Sequence, residues 1–115
     1  MAGASGTFHE EPAVLSTELK DRHRAIVSIM EEELEAIDGY DQRVEGAADP
    51  ELKAILAHNR DEEKAHAMMT LEWLRRHDPR LDEIMGTYVF KGKPPLQSVT
   101  FRSLTPEAAV NLVAG

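Results

Sequence analysis

The amino-acid sequence predicts an all-α protein, in which an antiparallel two-helix hairpin and a short C-terminal helix complete a four-helix bundle by dimerisation. Two observations predict the hairpin: apolar side chains recur four and three residues apart through two long stretches, and a loop that contains Gly and Pro separates these stretches. The third observation is length, because a helical chain of 115 residues has little interior of its own and gains one by pairing.

The composition of the chain narrows its function. It has 13 Lys and Arg against 21 Asp and Glu, a net charge of -8, which disfavours nucleic acid and favours cations. It contains no cysteine, so any metal must be held by oxygen and imidazole ligands. Neither a basic-then-apolar leader nor an apolar run of about 18 residues is present. We therefore expect a cytoplasmic protein without nucleic-acid or membrane contacts.

Local composition divides the chain into three parts. Residues 1–15 lack a sustained period and predict a flexible N-terminal arm. Residues 16–90 predict the helical hairpin with its short third helix, and residues 91–115 predict a linker and C-terminal tail.

Cap residues predict where the helices begin and end. Ser16 or Thr17 caps the first helix, and Gly46 follows its end. An Asp-Pro pair then begins each of the two later helices, because Asp caps well and Pro is tolerated in the first turn. The predicted helices run from Ser16 or Thr17 to Val44, from Pro50 to His77 and from Pro79 to Phe90.

The packed face of the first helix contains one carboxylate. Its members follow one side of the helix, where they can pack against a neighbouring helix. Glu33 lies in the middle of this face, where an unpaired carboxylate costs on the order of several kcal/mol. The face comprises Leu19, His23, Ile26, Met30, Glu33, Ile37, Tyr40 and Val44.

The second helix has the same arrangement, with apolar ends and a polar centre. Glu63 and His66 occupy the centre and are predicted to face the interior together. If a short loop near residues 47–48 joins the helices, Glu33 and Glu63 lie within about 3 Å of the same height. The face comprises Leu52, Leu56, Asn59, Glu63, His66, Thr70 and Trp73.

Glu33 and the Glu63-x-x-His66 pair form half of the ligand set of a di-iron carboxylate bundle. Such a bundle takes a Glu from each of two helices and a Glu-x-x-His from each of the other two. One chain supplies half of this set, so we expect a homodimer with two metals at its centre. Ligands of this kind suit iron or manganese, and an open position suits oxygen chemistry.

Other interpretations of these residues remain open. A Glu-x-x-His spacing also arises by chance on the surface of an acidic chain. Glu33 or Glu63 could instead pair with His23 or His66 in a structural network. Glu62, which precedes His66 by four residues, is interpreted as a solvated neighbour.

Three stretches of the sequence resemble the encapsulated ferritins: HRAIVS at residues 23–28, EELEAID followed by YDQRV at 32–44, and DPELKAILAHNRDEEKAHAMMTLEWLRR at 49–76. The resemblance covers about residues 9–95. It implies a ferritin-like fold, ferroxidase activity, a di-iron site shared by two subunits and an annular decamer of five dimers. It also implies an encapsulin shell protein as partner and a location inside an encapsulin nanocompartment.

The resemblance also implies roles for individual residues. Iron is the implied metal, and calcium, manganese and zinc are alternative occupants of the same centre or of an acidic access site. The matching positions are Glu33, Glu63 and His66 as iron ligands with Tyr40 beside them, and Glu32 and Glu35 at the access site.

Two departures from the family pattern affect these roles. Gly39 stands where the family usually carries Trp, which leaves space at the access site and costs about 1 kcal/mol of helix propensity. The glutamate run that begins at Glu31 holds one residue more than the usual pair. As an insertion, this residue rotates everything upstream by about 100°. Counting back from the following Leu-Glu-Ala assigns Glu33 as the ligand, with Glu32 as its rival.

The last expectations concern the C-terminal tail and the activity of the protein. Related cargo usually ends in a Gly-Ser-Leu-like peptide that docks on the shell, and residues 101–104 (FRSL) are partly similar. Three interpretations of these residues are open: a variant docking peptide, the start of a fused partner or a cloning remnant. We expect a ferroxidase that converts Fe(II) to Fe(III) for iron storage and detoxification. The alternatives are a peroxide-consuming di-iron or di-manganese enzyme and a non-catalytic helical oligomeric adaptor.

Overall fold

A computed structural model describes residues 8–98 of the chain. The chain divides into two units, Met1–His77 and Asp78–Gly115, of which residues 8–77 and 78–98 are described. The described residues form helices and turns without a strand, which confirms the predicted all-α class. Residues 101–104 of the predicted docking peptide lie outside the described range.

Four α-helices and a π-helical segment make up most of the described chain. The first unit contains α1 (Thr17–Val27), the π segment (Ser28–Leu34), α2 (Glu35–Gly46) and α3 (Pro50–Arg76), preceded by a 3-10 turn at Pro12–Val14. The second unit contains α4 (Pro79–Tyr88) and a 3-10 turn at Pro95–Ser98.

The helices begin at the predicted caps. The Oγ of Ser16 accepts from the backbone N–H of Leu19 at 3.1 Å, and a carboxylate oxygen of Asp49 accepts from that of Leu52 at 2.9 Å. Asp78 caps α4 in the same way. The ends differ from prediction by one or two residues, because fraying and the last turn depend on the local partners of the terminal carbonyls.

α1, the π segment and α2 form one uninterrupted helix. The residues at both junctions, Val27 and Glu35, have right-handed helical backbone angles. The π segment contains the run of glutamates from Glu31 to Glu33. Since an i→i+5 hydrogen bond closes a turn one residue longer than an i→i+4 bond does, the π segment changes the direction of the side chains without breaking the helix.

Upstream of Glu33, two members of the packed face differ by one residue from the prediction. Ala25 is buried and Ile29 is half-buried, whereas the predicted members Ile26 and Met30 are 41% and 53% exposed in the single chain. The i→i+5 turns change the angle between Glu33 and all preceding residues, which a constant period of 3.6 cannot represent. Downstream of Glu33, the predicted members are half-buried.

Polar contacts connect the two long helices of the hairpin. Arg22 of α1 donates to the carbonyl oxygen of His77 at 3.0 Å, where α3 ends. Closer to the loop, the guanidinium of Arg60 in α3 lies 3.1 Å from a carboxylate oxygen of Asp41 in α2. These contacts join the first and second long helices of the antiparallel hairpin near each of its ends.

The single chain leaves most of its large apolar side chains accessible. Among the described residues, the buried apolar side chains are Ala25, Ala67 and Leu74. An exposed apolar surface of this extent is typical of a protein that binds a partner. Its members on the hairpin are between 37% and 65% exposed and comprise Leu19, Ile26, Met30, Leu34, Leu52, Ile55, Met68, Met69 and Trp73.

None of the helices within residues 8–98 combines the length and apolar composition needed to cross a bilayer.

Candidate metal centre

Glu33 presents a carboxylate whose two oxygens have different surroundings. The hydroxyl of Ser28 donates to Oε1 at 3.4 Å, and the hydroxyl of Thr70 in α3 donates to the same oxygen at 3.3 Å. Oε2 is buried and has no hydrogen-bond partner among residues 8–98. A buried carboxylate oxygen without a partner is unfavourable, because it has lost its hydration without replacement.

Glu63 and His66 lie one helical turn apart on α3. Glu63 Oε1 is 3.6 Å from Nδ1 of His66, and Glu62 Oε2 is 4.0 Å from Nε2 of the same ring. The side chain of Glu63 is 26% exposed, that of His66 46% and that of Glu62 55%. The predicted inward pair is therefore only partly covered in the single chain.

The single chain does not bring these residues together as a complete site. No group of three His, Asp or Glu side chains within the described range is close enough to hold a metal ion. Glu33 contacts Thr70, which lies seven residues beyond Glu63. Helical side chains lean toward the N-terminus of their own helix, so Glu33 and Glu63 on antiparallel helices lean in opposite directions. Glu33, Glu63 and His66 therefore do not form a three-ligand group within the described part of one chain.

The other predicted residues have separate environments. Glu32 and Glu35 are exposed, in contrast to half-buried Glu33. Tyr40 is half-buried, and the guanidinium of Arg43 lies 5.5 Å from the centre of its ring. Apart from its two chain neighbours and the backbone of its own helix, a Cβ added at Gly39 would meet no atom within 4 Å.

The hydroxyls of Ser28 and Thr70 contact Glu33, and the sequence pattern did not predict either contact. Thr70 lies on the predicted face of α3, and its position there is the one indication that it could reach Glu33. Ser28 precedes Glu33 by five residues, which on a regular α-helix places the two about 140° apart. Only the π segment brings that spacing onto one side of the helix.

Comparison with known proteins agrees with this fold. A model of the EncFtn-like family matches residues 7–92. The chain is 62% identical over 94 residues to an encapsulated ferritin-like protein of Rhodospirillum rubrum, a match that covers 82% of this chain and 66% of that protein. It is 47% identical over 87 residues to a ferritin-like protein of Thermotoga maritima, which covers 76% of this chain and 75% of that protein.

A solved structure shows the same arrangement of helices. The crystal structure of a protein from Nitrosomonas europaea is similar with a TM-score of 0.69 and 57% sequence identity. The similarity covers 76% of this chain and 94% of that one. The family match extends over well more than half of the sequence, and the chain belongs to the EncFtn-like family.

Proposed function

We propose that this protein is a ferroxidase and that its substrate, Fe(II), binds between two copies of the chain. The observation that carries the proposal is the buried Oε2 of Glu33, which has no hydrogen-bond partner within residues 8–98. A cation would compensate this oxygen, and the carboxylate of Glu63 and the imidazole of His66, which lie 3.6 Å apart, are ligand types that suit iron. The residues present therefore fit a metal centre.

The names of the relatives support an iron-related function. The Rhodospirillum rubrum relative is described as an encapsulated ferritin-like protein and the Thermotoga maritima relative as a ferritin-like protein. We extend this description to the present chain, as storage and detoxification of iron inside an encapsulin nanocompartment. An encapsulin shell protein is the proposed partner.

A second copy of the chain is the proposed source of the remaining ligands. The exposed apolar surface of the hairpin supports this step, and the side chains of Glu63 and His66 are themselves 26% and 46% exposed in the single chain. Burial of apolar surface is the usual driving force for association. Two copies would supply Glu33, Glu63 and His66 twice, and five such dimers would form the proposed annular decamer.

The chemistry assigned to the chain's own residues is binding, orientation and charge compensation. Ionised Glu33 and Glu63 compensate the positive charge of the substrate, and His66 binds as neutral imidazole. Exposed Glu32 and Glu35 attract cations toward the centre. Each Fe(II) loses one electron to become Fe(III), and the two electrons with two protons convert dioxygen to hydrogen peroxide.

The test is rapid mixing of Fe(II)-loaded protein with oxygenated buffer, followed by ferric absorbance. The wild-type chain should oxidise Fe(II) faster than buffer alone and saturate at two ions per dimer. Glu63→Ala should lose this fast oxidation, because the substrate loses one carboxylate ligand from each copy. Glu51→Ala removes an exposed carboxylate from the first turn of the same helix and serves as the matched control.

Two results would contradict the proposal. Oxidation by the wild type at the rate of buffer alone would favour the adaptor. Equal oxidation by Glu63→Ala and wild type would remove Glu63 from the centre. Circular dichroism of each variant ensures that a lost phase does not reflect unfolding.

A further inference from the structure

We infer that Ser28 and Thr70 are positioning residues for Glu33, which hold Oε1 with two hydroxyl donors and leave Oε2 as the oxygen that binds the cation. This inference rests on the proposed function and deepens it. It names which atom of Glu33 takes part and which side chains decide that it does.

The distribution of donors over the carboxylate carries the inference. Both hydroxyls contact Oε1, at 3.4 Å from Ser28 and 3.3 Å from Thr70, and neither contacts Oε2. A carboxylate has room for about four donors, two at each oxygen. Two contacts to one oxygen from two different elements favour one rotation of the group and leave Oε2 as the oxygen available for binding.

The two donors come from different parts of the hairpin. Ser28 begins the π segment that contains Glu33, and Thr70 belongs to α3. Since they approach from two elements, rotation of the Glu33 side chain would break at least one contact. Outer partners of this kind orient metal ligands in many proteins.

Thr70 has a competing acceptor. Its single hydroxyl proton can go to Glu33 Oε1 or to the carbonyl oxygen of His66, which lies 3.2 Å away. A hydrogen bond to an ionised carboxylate is stronger than one to a neutral carbonyl, so the proton favours Glu33. The same side chain thus contacts the backbone of one proposed ligand and the carboxylate of another.

The experiment measures Co(II) binding to the full chain by calorimetry, with Co(II) as a probe that does not oxidise during the titration. Thr70→Val keeps the shape of the side chain and removes the hydroxyl, and Ser28→Ala removes the other donor. Each should raise the Co(II) dissociation constant about 10-fold. Thr70→Ser keeps a hydroxyl and should bind nearly as tightly as the wild type.

A second measurement separates positioning from a structural effect. Infrared difference spectra record the carboxylate bands that Co(II) shifts, and Glu33→Gln identifies the band of Glu33. That band should move in Thr70→Val and Ser28→Ala and stay in place in Thr70→Ser. Weaker binding without movement of this band in either hydroxyl variant would overturn the positioning role.

The outcomes distinguish this inference from the proposed function. One outcome is that the wild type binds Co(II), Glu33→Gln binds it weakly, and both hydroxyl variants bind it as tightly as the wild type. The positioning role is then wrong, whereas the proposed metal centre is supported. If the wild type does not bind Co(II), or if Glu33→Gln binds it equally well, both proposals are wrong. Circular dichroism shows whether each variant is folded. Because the two hydroxyl variants lie in different elements, the test remains possible if only one of them folds.

Discussion

The ammonium group of Lys53 in α3 donates to the carbonyl oxygen of Val44 near the end of α2, at 2.8 Å. The last carbonyls of a helix have no partner within the helix, and Val44 is one of them. Lys53 is half-buried, so its ammonium group both satisfies this carbonyl and joins the two helices beside the loop.

We expect Lys53→Met to lower the free energy of unfolding by about 1 kcal/mol, because it keeps the apolar stem and removes the donor. Chemical denaturation at equal protein concentration measures the change. Lys64→Met is the matched control, since the ammonium group of Lys64 lies 3.8 Å from Asp61 on the exposed side of α3. Its effect should stay within about 0.5 kcal/mol. Equal effects of the two substitutions would contradict the role of Lys53.

Gly39 offers a stabilising substitution. It lies inside α2, and an added Cβ would meet no atom within 4 Å. Gly39→Ala should therefore raise the free energy of unfolding by about 0.5–1 kcal/mol, since Ala restricts the unfolded chain more than Gly does. Thermal unfolding followed by circular dichroism measures this change.

Gly92 provides the contrast for Gly39. Its φ of 69° lies in the left-handed region, where a Cβ is unfavourable even though space is available. Gly92→Ala should therefore lower the free energy of unfolding of the segment that follows α4 by about 1 kcal/mol. A stabilising effect at Gly92, or a destabilising one at Gly39, would contradict this account.

We expect the contacts of Glu72 to make the stability of the fold depend on pH in the acid range. Hydrogen bonds from Arg75 and then Arg76 lower the pKa of Glu72 from 4.5 to about 2. Because the folded-state pKa lies below the unfolded value, the contact stabilises the fold above pH 4.5, and this stabilisation disappears as the pH falls toward 2. NMR titration of the Glu72 carboxyl measures the pKa directly.

The same contact predicts the behaviour of a neutral variant. Glu72→Gln should be less stable than the wild type at neutral pH, and the difference should vanish as the pH falls toward 2. The effect should be small and should weaken in high salt, because the group is exposed. A difference that persists unchanged in strong acid would show that Glu72 acts through packing instead.

We expect Glu33 to destabilise the metal-free fold and to be required for stabilisation of the fold by a bound metal. Its buried Oε2 has no hydrogen-bond partner in the part of the chain that the structure describes, so Glu33→Met should raise the free energy of unfolding of the metal-free protein by about 1 kcal/mol. Stabilisation by added Co(II) should disappear in the same variant, because a bound ligand stabilises only a protein that binds it. Chemical denaturation with chelator and with Co(II) measures both effects.

Glu32→Met is the control for Glu33→Met, and it also tests the rival ligand. Glu32 is exposed, so its replacement should change the metal-free stability by less than about 0.5 kcal/mol. If Glu32→Met abolishes stabilisation by Co(II) and Glu33→Met does not, the ligand assignment must move to Glu32.

The sequence by itself determined the helices, because the groups that begin them are local. Ser16, Asp49 and Asp78 each accept from a backbone N–H three residues later, and such a contact depends on nothing outside the turn. The alternation of apolar residues also placed Glu33 on the packed face, where the structure has it half-buried. The assignment of Glu33, Glu63 and His66 as metal ligands stays a prediction.

Only the tertiary structure decided how Glu33 is surrounded. The run from Glu31 to Glu33 lies in a part of the helix whose turns are not regular, and a sequence period assumes regular turns. The chain forms a π segment, which turns Ser28 toward Glu33. Thr70 reaches the same oxygen from 37 positions away in the chain, a contact that depends on how α3 packs against the π segment. The unpaired Oε2 follows from these contacts together, since packing across the hairpin decides which polar atoms find partners.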